Sequence, residues 1–439
     1  MNRVFFKAGL IFFVWLGVQS GSFATETVPD IRYRNIVYFY PDKVALERSV
    51  LAKAFPYFEL VDELPATASK PVLSYNLIRN FEDSYPVPDL NYLGYFGRVL
   101  DKQQATLIQG SKLALIIDVA YPAAMSYAGL SATSTSLYQF AKSNEGLIWD
   151  SETRELFTPS AWKQKRLDGW ASGKTPSVVD HTVIHAYRHD EGVRAITLGM
   201  AKFGMPDVVV NNFSWSLNTS IGNLINLVAQ SIMEGAVPDK NGMLKLNISA
   251  LDDTRYKHDL KADLIENAQE QVNLLIGEAK WEQGDPENYL IEILFDNVQG
   301  ASLSERQESL LSGVFGWEDK ISYVRHNALI EAASARARNK LPGLRADFND
   351  GLAPGEFIQV KAPFDTPDGG HEWMWVEVMS WRGNEIKGLL KNEPYNIPDL
   401  KGGSEVVVNE DEVFDYIRTY PDGRSEGNET AELIMKFQR

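Results

Sequence analysis

Residues 354–416 read PGEFIQVKAPFDTPDGGHEWMWVEVMSWRGNEIKGLLKNEPYNIPDLKGGSEVVVNEDEVFDY and carry the densest combination of β-rich segments and turn signals in the chain. Residues 357–361 (FIQVK) alternate apolar and polar side chains, as a half-buried strand does, and residues 363–370 (PFDTPDGG) predict the turn that ends it. The other predicted strands, each bounded by turn residues, are 371–380, 385–390 and 405–408. Four short strands predict a small barrel or a strongly bent sheet, because a flat sheet of this size would leave long open edges.

The predicted strand 371–380 has two different faces, because successive side chains point to opposite sides of a strand. The apolar face carries Met374, Val376 and Val378. The other face carries His371, Trp373, Trp375 and Glu377. These four side chains are the candidate ligand-binding residues, as an aromatic platform. The alternative is that the tryptophans pack against a helix predicted at 321–341 or against a neighbouring domain.

Several short motifs in this region carry a family resemblance. They are KAPF, GGHEWMWVEV, G-x-x-x-x-G-x-L-x-NEP, IPDLKGG and DEVFDYI, followed by DGRSEGNET at 422–430. In this order they resemble the bacterial family catalogued as domain of unknown function 2314, over roughly residues 322–437. The resemblance implies a compact module and no known activity or catalytic residue.

The N-terminus has the pattern of a secretory signal peptide. Arg3 and Lys7 supply a positive region, residues 8–18 an apolar core, and Ser22 and Ala24 the small residues of a cleavage site. The apolar run is too short to span a bilayer, which takes about 20 residues. An uncleaved N-terminal anchor is the alternative. We expect cleavage near Ala24 and an exported chain, periplasmic or secreted, with no transmembrane segment.

Charge and cysteine content restrict the partners of the exported chain. Loss of residues 1–24 leaves 41 Lys and Arg against 59 Asp and Glu, a net charge of −18. This balance argues against nucleic acid and anionic membrane surfaces, both of which attract basic patches. The chain has no cysteine, so disulfides and thiolate chemistry are excluded. We expect no cofactor.

The fold class predicted from the whole chain is α+β. Residues 30–235 predict a larger mixed α/β domain around the apolar run 113–119 (LALIIDV), which is typical of a strand covered on both faces. Residues 237–320 predict an α+β intermediate region, and residues 321–437 the C-terminal β module with its preceding helix. Other predicted helices are 122–142, 159–167 after a Thr158 N-cap, 260–267, and one ending at Phe315 that is opened by a Ser302–Glu305 capping box.

Three of the six histidines, His181, His185 and His189, recur at intervals of four beside Asp180 and Asp190. They are the candidate metal ligands. The apolar residues between them favour a strand, on which positions four apart lie about 13 Å from one another, too far to share one zinc ion. A polar sheet face is the alternative.

Two classes of function follow from these patterns. The first is a non-enzymatic binding or interaction protein whose β module holds a partner, a protein or an envelope component. It rests on the absence from the sequence of G-x-S-x-G, H-E-x-x-H and G-x-G-x-x-G motifs. The second is an envelope hydrolase with a site in the α/β domain, using His185 or Asp150, where Asp150 and Glu152 could form an acid–base pair. Polar side chains meeting in a concave pocket around His181, His185 or Asp150 would favour the hydrolase, whereas a filled apolar surround would favour binding or scaffolding.

Overall fold

The computed structural model of the chain describes residues 30–40, 47–81, 84–170, 174–189, 192–252, 254–264, 268–316, 328–367, 370–431 and 433. The signal peptide predicted at residues 1–24 lies outside them. Within the described residues the chain forms three mostly antiparallel sheets with helices packed on them, which confirms the α+β class.

The first sheet is built around two long central strands. Its members are β1 (Asp30–Phe39), β2 (Glu59–Leu60), β3 (Val72–Arg79), β4 (Gly97–Arg98), β5 (Leu113–Pro122), β6 (Gly146–Asp150) and β7 (Glu155–Phe157), in the order β2-β3-β5-β1-β6-β7-β4. Along β5, Leu115 and Ile117 enter the main core, whereas Ala114 and Ile116 enter a second core on the opposite face. This two-sided burial confirms the covered strand predicted at 113–119.

Helices cover both faces of this sheet. They are α1 (Arg48–Ala54), α2 (Leu90–Phe96), α3 (Lys102–Ile108), α4 (Ser126–Ser143) and α5 (Pro159–Arg166). Helix α4 corresponds to the helix predicted at 122–142. It packs closely on β5 at Gly129, where a Cβ atom would lie only 2.7 Å from the Tyr121 ring. The predicted N-cap of α5 is confirmed, since the Thr158 hydroxyl accepts a hydrogen bond from the Ala161 amide.

The second sheet joins residues from both sides of the boundary predicted at 235–237. It contains β8 (Val183–His189), β9 (Gly192–Leu198), β10 (Asp207–Phe213), β11 (Met243–Asn247), β12 (Gln271–Glu278) and β13 (Leu290–Leu294), in the order β11-β12-β13-β10-β9-β8. Strands β10 and β13 pair in parallel across that boundary. One hydrophobic core contains residues of both sheets, so these two predicted regions pack as one body.

The helices of this second layer are α6 (Asn218–Met233), α7 (Arg255–Asp263) and α8 (Leu303–Phe315). Helix α7 begins earlier than the predicted residue 260, because the Thr254 side chain caps it by accepting from the Lys257 amide. Of the predicted capping box on α8, only half is present. The Ser302 hydroxyl accepts from the Glu305 amide, but the Glu305 carboxylate accepts from the Ala301 amide instead of the Ser302 amide.

The third sheet is the C-terminal module, packed on α9 (Ala328–Asn349). Its strands are β14 (Phe357–Asp365), β15 (His371–Arg382), β16 (Glu385–Leu390), β17 (Glu405–Asn409), β18 (Asp415–Thr419) and β19 (Ser425–Gly427), in the order β17-β16-β15-β14-β18-β19. The predicted strands are present, but two more follow them, and β14 runs past the predicted turn at Pro363. Helix α9 continues through Pro342, beyond the predicted end at 341, because Leu341 and Leu344 both enter the module core.

The third sheet is strongly curled. Strands β17 and β18 lie four positions apart, which would place them about 19 Å from each other in a flat sheet. Only residues 410–414 connect them, and three of these form the 3-10 helix Glu410–Glu412. The Glu410 amide is still hydrogen-bonded to Asn384 beside β16 and the Phe414 amide is already bonded to Lys361 of β14, and the four residue steps between them span no more than about 14 Å. The bent sheet is therefore confirmed, but β17 and β19 remain edges in the described part of the chain, so the barrel is not closed.

No helix in the part of the chain that the structure describes is long and apolar enough to cross a bilayer.

Candidate functional site

Four buried charged side chains converge where the β6–β7 hairpin meets α5: Asp150, Glu155, Arg166 and Lys202. Asp150 ends β6 and Glu155 begins β7, so the hairpin places both carboxylates together. Arg166 ends α5, and Lys202 lies in a 3-10 helix bounded by two glycines with positive φ. Each of the four is exposed by 2% or less. We call these four residues the buried charge cluster.

The cluster is closely paired. Asp150 Oδ2 lies 2.6 Å from Lys202 Nζ and 3.0 Å from Arg166 Nη2. The same Arg166 nitrogen lies 3.1 Å from Glu155 Oε2, and the other terminal nitrogen donates to the backbone carbonyl of Asp180. Each buried carboxylate therefore has a cationic partner, as buried charges require.

The cluster moves the pKa values of two neighbouring carboxyl groups apart. Burial alone would raise the pKa of Asp150, but the charges of Lys202 and Arg166 outweigh it and hold the pKa well below its usual value. Burial, together with the charge of Asp150, raises the pKa of the half-buried Glu152 to about 7. Such a separation is typical of acid–base pairs.

A catalytic pair must also reach a substrate, and the space beside Asp150 is too small for one. That space, lined by Tyr33 and Asn35 and by the cluster residues Asp150, Arg166 and Lys202, has no room for a water molecule. The concave polar pocket that would favour a hydrolase at Asp150 is therefore absent from the described surroundings of this residue. The buried ion pairs of the cluster instead connect the β6–β7 hairpin to α5 and to the 3-10 helix before β10.

The three candidate metal ligands have separate surroundings. His181 lies in the turn before β8, fully buried, with its ring centroid 5.0 Å from that of Trp170 and 5.7 Å from that of Phe203. His185 is on β8, with its ring centroid 4.8 Å from that of Phe96. His189 ends β8, and its side chain lies outside the described part of the structure. No group of three or more His, Cys, Asp or Glu side chains among the described residues is arranged to hold a metal ion.

The half-buried position of His185 predicts a pH effect on stability. Burial, and then the charge of Arg154, lowers the pKa of His185 to about 4. An unfolded chain binds the proton at a pKa of about 6.5, so the free energy of unfolding should fall as the pH drops from 6.5 towards 4. We expect His185→Leu to remove about 2 kcal/mol of the loss between pH 7.5 and pH 5.0, measured by urea unfolding at the two pH values.

The matched control is Phe55→Leu, which shortens a buried ring that packs on Phe140 instead of on His185. It should alter stability equally at both pH values. The same pH dependence in His185→Leu as in the wild type would contradict the prediction.

The predicted alternation along β15 is present. Met374, Val376 and Val378 are buried, whereas the four candidate ligand-binding residues are on the other face. Three of those four are already occupied by contacts within the module. They are Trp373, with its ring centroid 4.6 Å from that of Phe414, Trp375, with Lys361 Nζ 5.7 Å from its ring, and Glu377, paired with Lys391 at 2.8 Å. Trp373 also packs against the small core that contains Ile330 of α9, as the helix-packing alternative predicts.

The Glu377 end of this face also meets the preceding part of the chain. Lys391 Nζ lies 5.4 Å from the centre of the Trp215 ring, and Ser214 Oγ donates to Glu393 Oε2 at 3.1 Å. This end is therefore covered. The other end carries His371, which is exposed and pairs with Asp365 through Nδ1 at 2.9 Å.

A groove of about 550 Å³ lies beside His371. Its size is within the range of ligand-binding pockets. One side is formed by Pro363, Asp365 and His371 near the β14–β15 turn. The opposite side includes Glu385, Val407 and Glu412, from β16, β17 and the connection to β18. We call this feature the His371 groove.

The far side of the His371 groove was not predictable from local sequence pattern. Val407 is separated from His371 by more than thirty residues, and only the curl of the sheet brings their strands together. One signal was present in the segment EVVVN (405–409). Three consecutive valines on a strand must put at least one on the outer face, and Val407 is indeed 59% exposed.

The fold and the groove together define the C-terminal part as a curled, six-stranded β module on a larger α+β body. Residues 348–436 match the model of the family described as "Uncharacterized protein conserved in bacteria (DUF2314)". This match confirms the resemblance of the C-terminal part. No curated protein matches the chain, and no solved structure matches it either.

Proposed function

We propose that the chain is an exported, non-enzymatic binding protein whose C-terminal module holds a partner, a protein or a component of the cell envelope. The observation that carries this proposal is the His371 groove, an open cavity of about 550 Å³. The lining combines the apolar Val407 with the carboxylates Asp365 and Glu385. Such a mixture of apolar and polar side chains is typical of a recognition site.

The contrast with the buried charge cluster supports binding over hydrolysis. The hydrolase candidate Asp150, whose pKa is held well below its usual value, lines a space without room for water. The open groove, in turn, has a single histidine in its lining, His371, and that side chain is engaged with Asp365. A cavity with these side chains is better suited to holding a partner than to activating a nucleophile.

Export predicts a defined mature N-terminus. We expect protein recovered from the periplasm or culture medium to begin at Thr25, as determined by mass spectrometry of the N-terminal peptide, because Ser22 and Ala24 fit the small residues of a signal-peptidase site. Ala24→Arg, which places a bulky charge at that site, should retain residues 1–24. An intact N-terminal region in protein found only in the cytoplasm would contradict export.

The binding proposal is tested by photocrosslinking in the cells that produce the protein. A photoreactive amino acid at Val407 or Glu385, both lining the His371 groove, should give a discrete adduct of higher mass. The matched control is Val237, which is 61% exposed and lies far along the chain from the module. Adducts from the two groove positions without adducts from Val237 support the proposal. No adduct from either groove position would overturn it.

A further inference from the structure

Two strand edges that lack a partner strand within the described part of the chain border the His371 groove. Strand β18 pairs with β14 only over residues Phe357–Lys361, although β14 continues to Asp365. The last four residues of β14 therefore have β15 on one side and, among the residues that the structure describes, no strand on the other. Strand β17 is the end strand of the same sheet, and β16 is its one partner strand in the described ranges.

The direction of the backbone groups follows from neighbouring hydrogen bonds. The Leu390 amide donates to the Ser404 carbonyl at 2.9 Å, and the Glu410 amide donates to the Asn384 carbonyl at 2.7 Å. Even-numbered residues of β17 therefore face β16, because backbone groups alternate in direction along a strand. The amides and carbonyls of Glu405, Val407 and Asn409 point away from β16, at the free edge.

The same reasoning applies to the end of β14. The Phe414 amide donates to the Lys361 carbonyl at 2.7 Å, on the side away from β15. Two and four residues further on, Pro363 and Asp365 have the same orientation. Pro363 has no amide hydrogen, and a proline inside a strand is compatible only with such an outer edge. Both residues line the groove.

The charges of the groove specify the complementary ligand. Its lining contains the carboxylates Asp365, Glu385 and Glu412, and none of the described lining residues is Lys or Arg. Glu385 and Glu412 form no ion pair with any residue that the structure describes. A cationic segment is therefore favoured by charge complementarity. A second copy of this chain is disfavoured, because edge-to-edge pairing would bring the same carboxylates together and the chain carries a net charge of −16.

We propose that the His371 groove binds an extended, basic segment of a partner protein, which adds as a strand between β14 and β17 and so completes the open barrel. The inference rests on the proposed function and specifies its ligand. Backbone hydrogen bonds to Val407 and Asp365 would provide affinity, whereas Glu385 and Glu412 would select Lys or Arg side chains at alternate positions.

The probe for this inference is a random library of twelve-residue peptides displayed on phage and selected against the full mature chain. We expect enriched peptides with Lys or Arg at alternate positions, β-branched residues between them and no proline in the middle. Enriched peptides are then synthesised, and their Kd is measured by fluorescence anisotropy. No enrichment, or enrichment of acidic peptides, would overturn the inference.

Protein variants locate the contact. Val407→Pro removes the outward amide of β17 and should weaken binding about tenfold or more, whereas the matched Val407→Thr keeps the amide and should bind within about threefold of wild type. Glu385→Gln combined with Glu412→Gln should weaken binding about fivefold and reduce its salt dependence. Glu287→Gln, which changes a distant exposed carboxylate, should have no effect.

A modification of the ligand gives the same test without changing the protein fold. N-methylation of alternate backbone amides in the selected peptide should weaken binding about tenfold or more, whichever alternate set is methylated, because an inserted strand bonds on both sides. Unchanged binding of both methylated peptides, or of Val407→Pro, would overturn strand addition. Adducts at Val407 with a molecule other than a protein would overturn this inference while leaving the binding proposal intact.

Discussion

Lys202→Met should destabilise the protein by about 3–5 kcal/mol, because it leaves a buried carboxylate without its closest cation. Lys202 Nζ lies 2.6 Å from Asp150 Oδ2, and both side chains are almost fully buried. Arg166 would then be the remaining partner of Asp150, and it is already shared with Glu155. Equilibrium urea unfolding followed by tryptophan fluorescence measures the loss, since Trp162 lines the same site.

The double variant Asp150→Asn with Lys202→Met separates the cost of an unpaired charge from the cost of lost packing. It removes both charges, so we expect it to be more stable than the sum of the two single effects predicts. Lys163→Met, in the exposed pair between Lys163 and Asp168, is the matched control and should leave stability unchanged. A Lys202→Met protein as stable as the wild type would show that the cluster does not hold the hairpin to its neighbours.

Features within one helix or strand could be predicted from the sequence, whereas contacts between distant elements could not. The Thr158 cap, the buried face of β15 and the two-sided burial of β5 were predictable, because each depends on the spacing of residues within one element. The partners of Asp150 were not, since Arg166 and Lys202 lie 16 and 52 residues further along the chain. No periodicity relates residues in different elements, so such a cluster appears only after the chain has folded.

Contacts from distant residues also decided which of the candidate ligand-binding residues of β15 are exposed. Alternation correctly grouped Trp373, Trp375 and Glu377 on one side of β15. It could not show that Phe414 and Lys391 come from later segments to cover them. His371 differs because it begins the strand, where the sheet opens into the groove. The exposed part of this predicted face was thus decided by residues in the connections after β16 and before β18, which local pattern does not place.

The link between the curl of the module and its groove depends on Trp381. This side chain is 1% exposed in the module core, and its Nε1 donates to Glu410 Oε2 at 2.7 Å. Glu410 begins the 3-10 helix that connects β17 to β18 and also pairs with Arg345 of α9. Trp381 therefore fixes the short connection that curls the sheet and places Glu412 in the groove.

Trp381→Ala should destabilise the C-terminal module by about 3–5 kcal/mol, because it removes the largest side chain of the core and leaves a cavity. The buried Glu410 carboxylate would also lose a hydrogen-bond donor. Hydrogen exchange of the β15 and β16 amides, measured by mass spectrometry, reports the loss in the module itself. Amides of β5, in the separate core of the first sheet, should keep wild-type protection.

Two further variants distinguish packing from the hydrogen bond. Trp381→Phe keeps most of the apolar volume but removes the indole donor, so it should cost only about 1–2 kcal/mol. Trp281→Ala removes a tryptophan that is 57% exposed, and should change stability by no more than about 0.5 kcal/mol. If Trp381→Ala were as mild as Trp281→Ala, the core contact would not hold the curl. In that case the connection to β18 alone, through residues 410–414, would have to shape the groove.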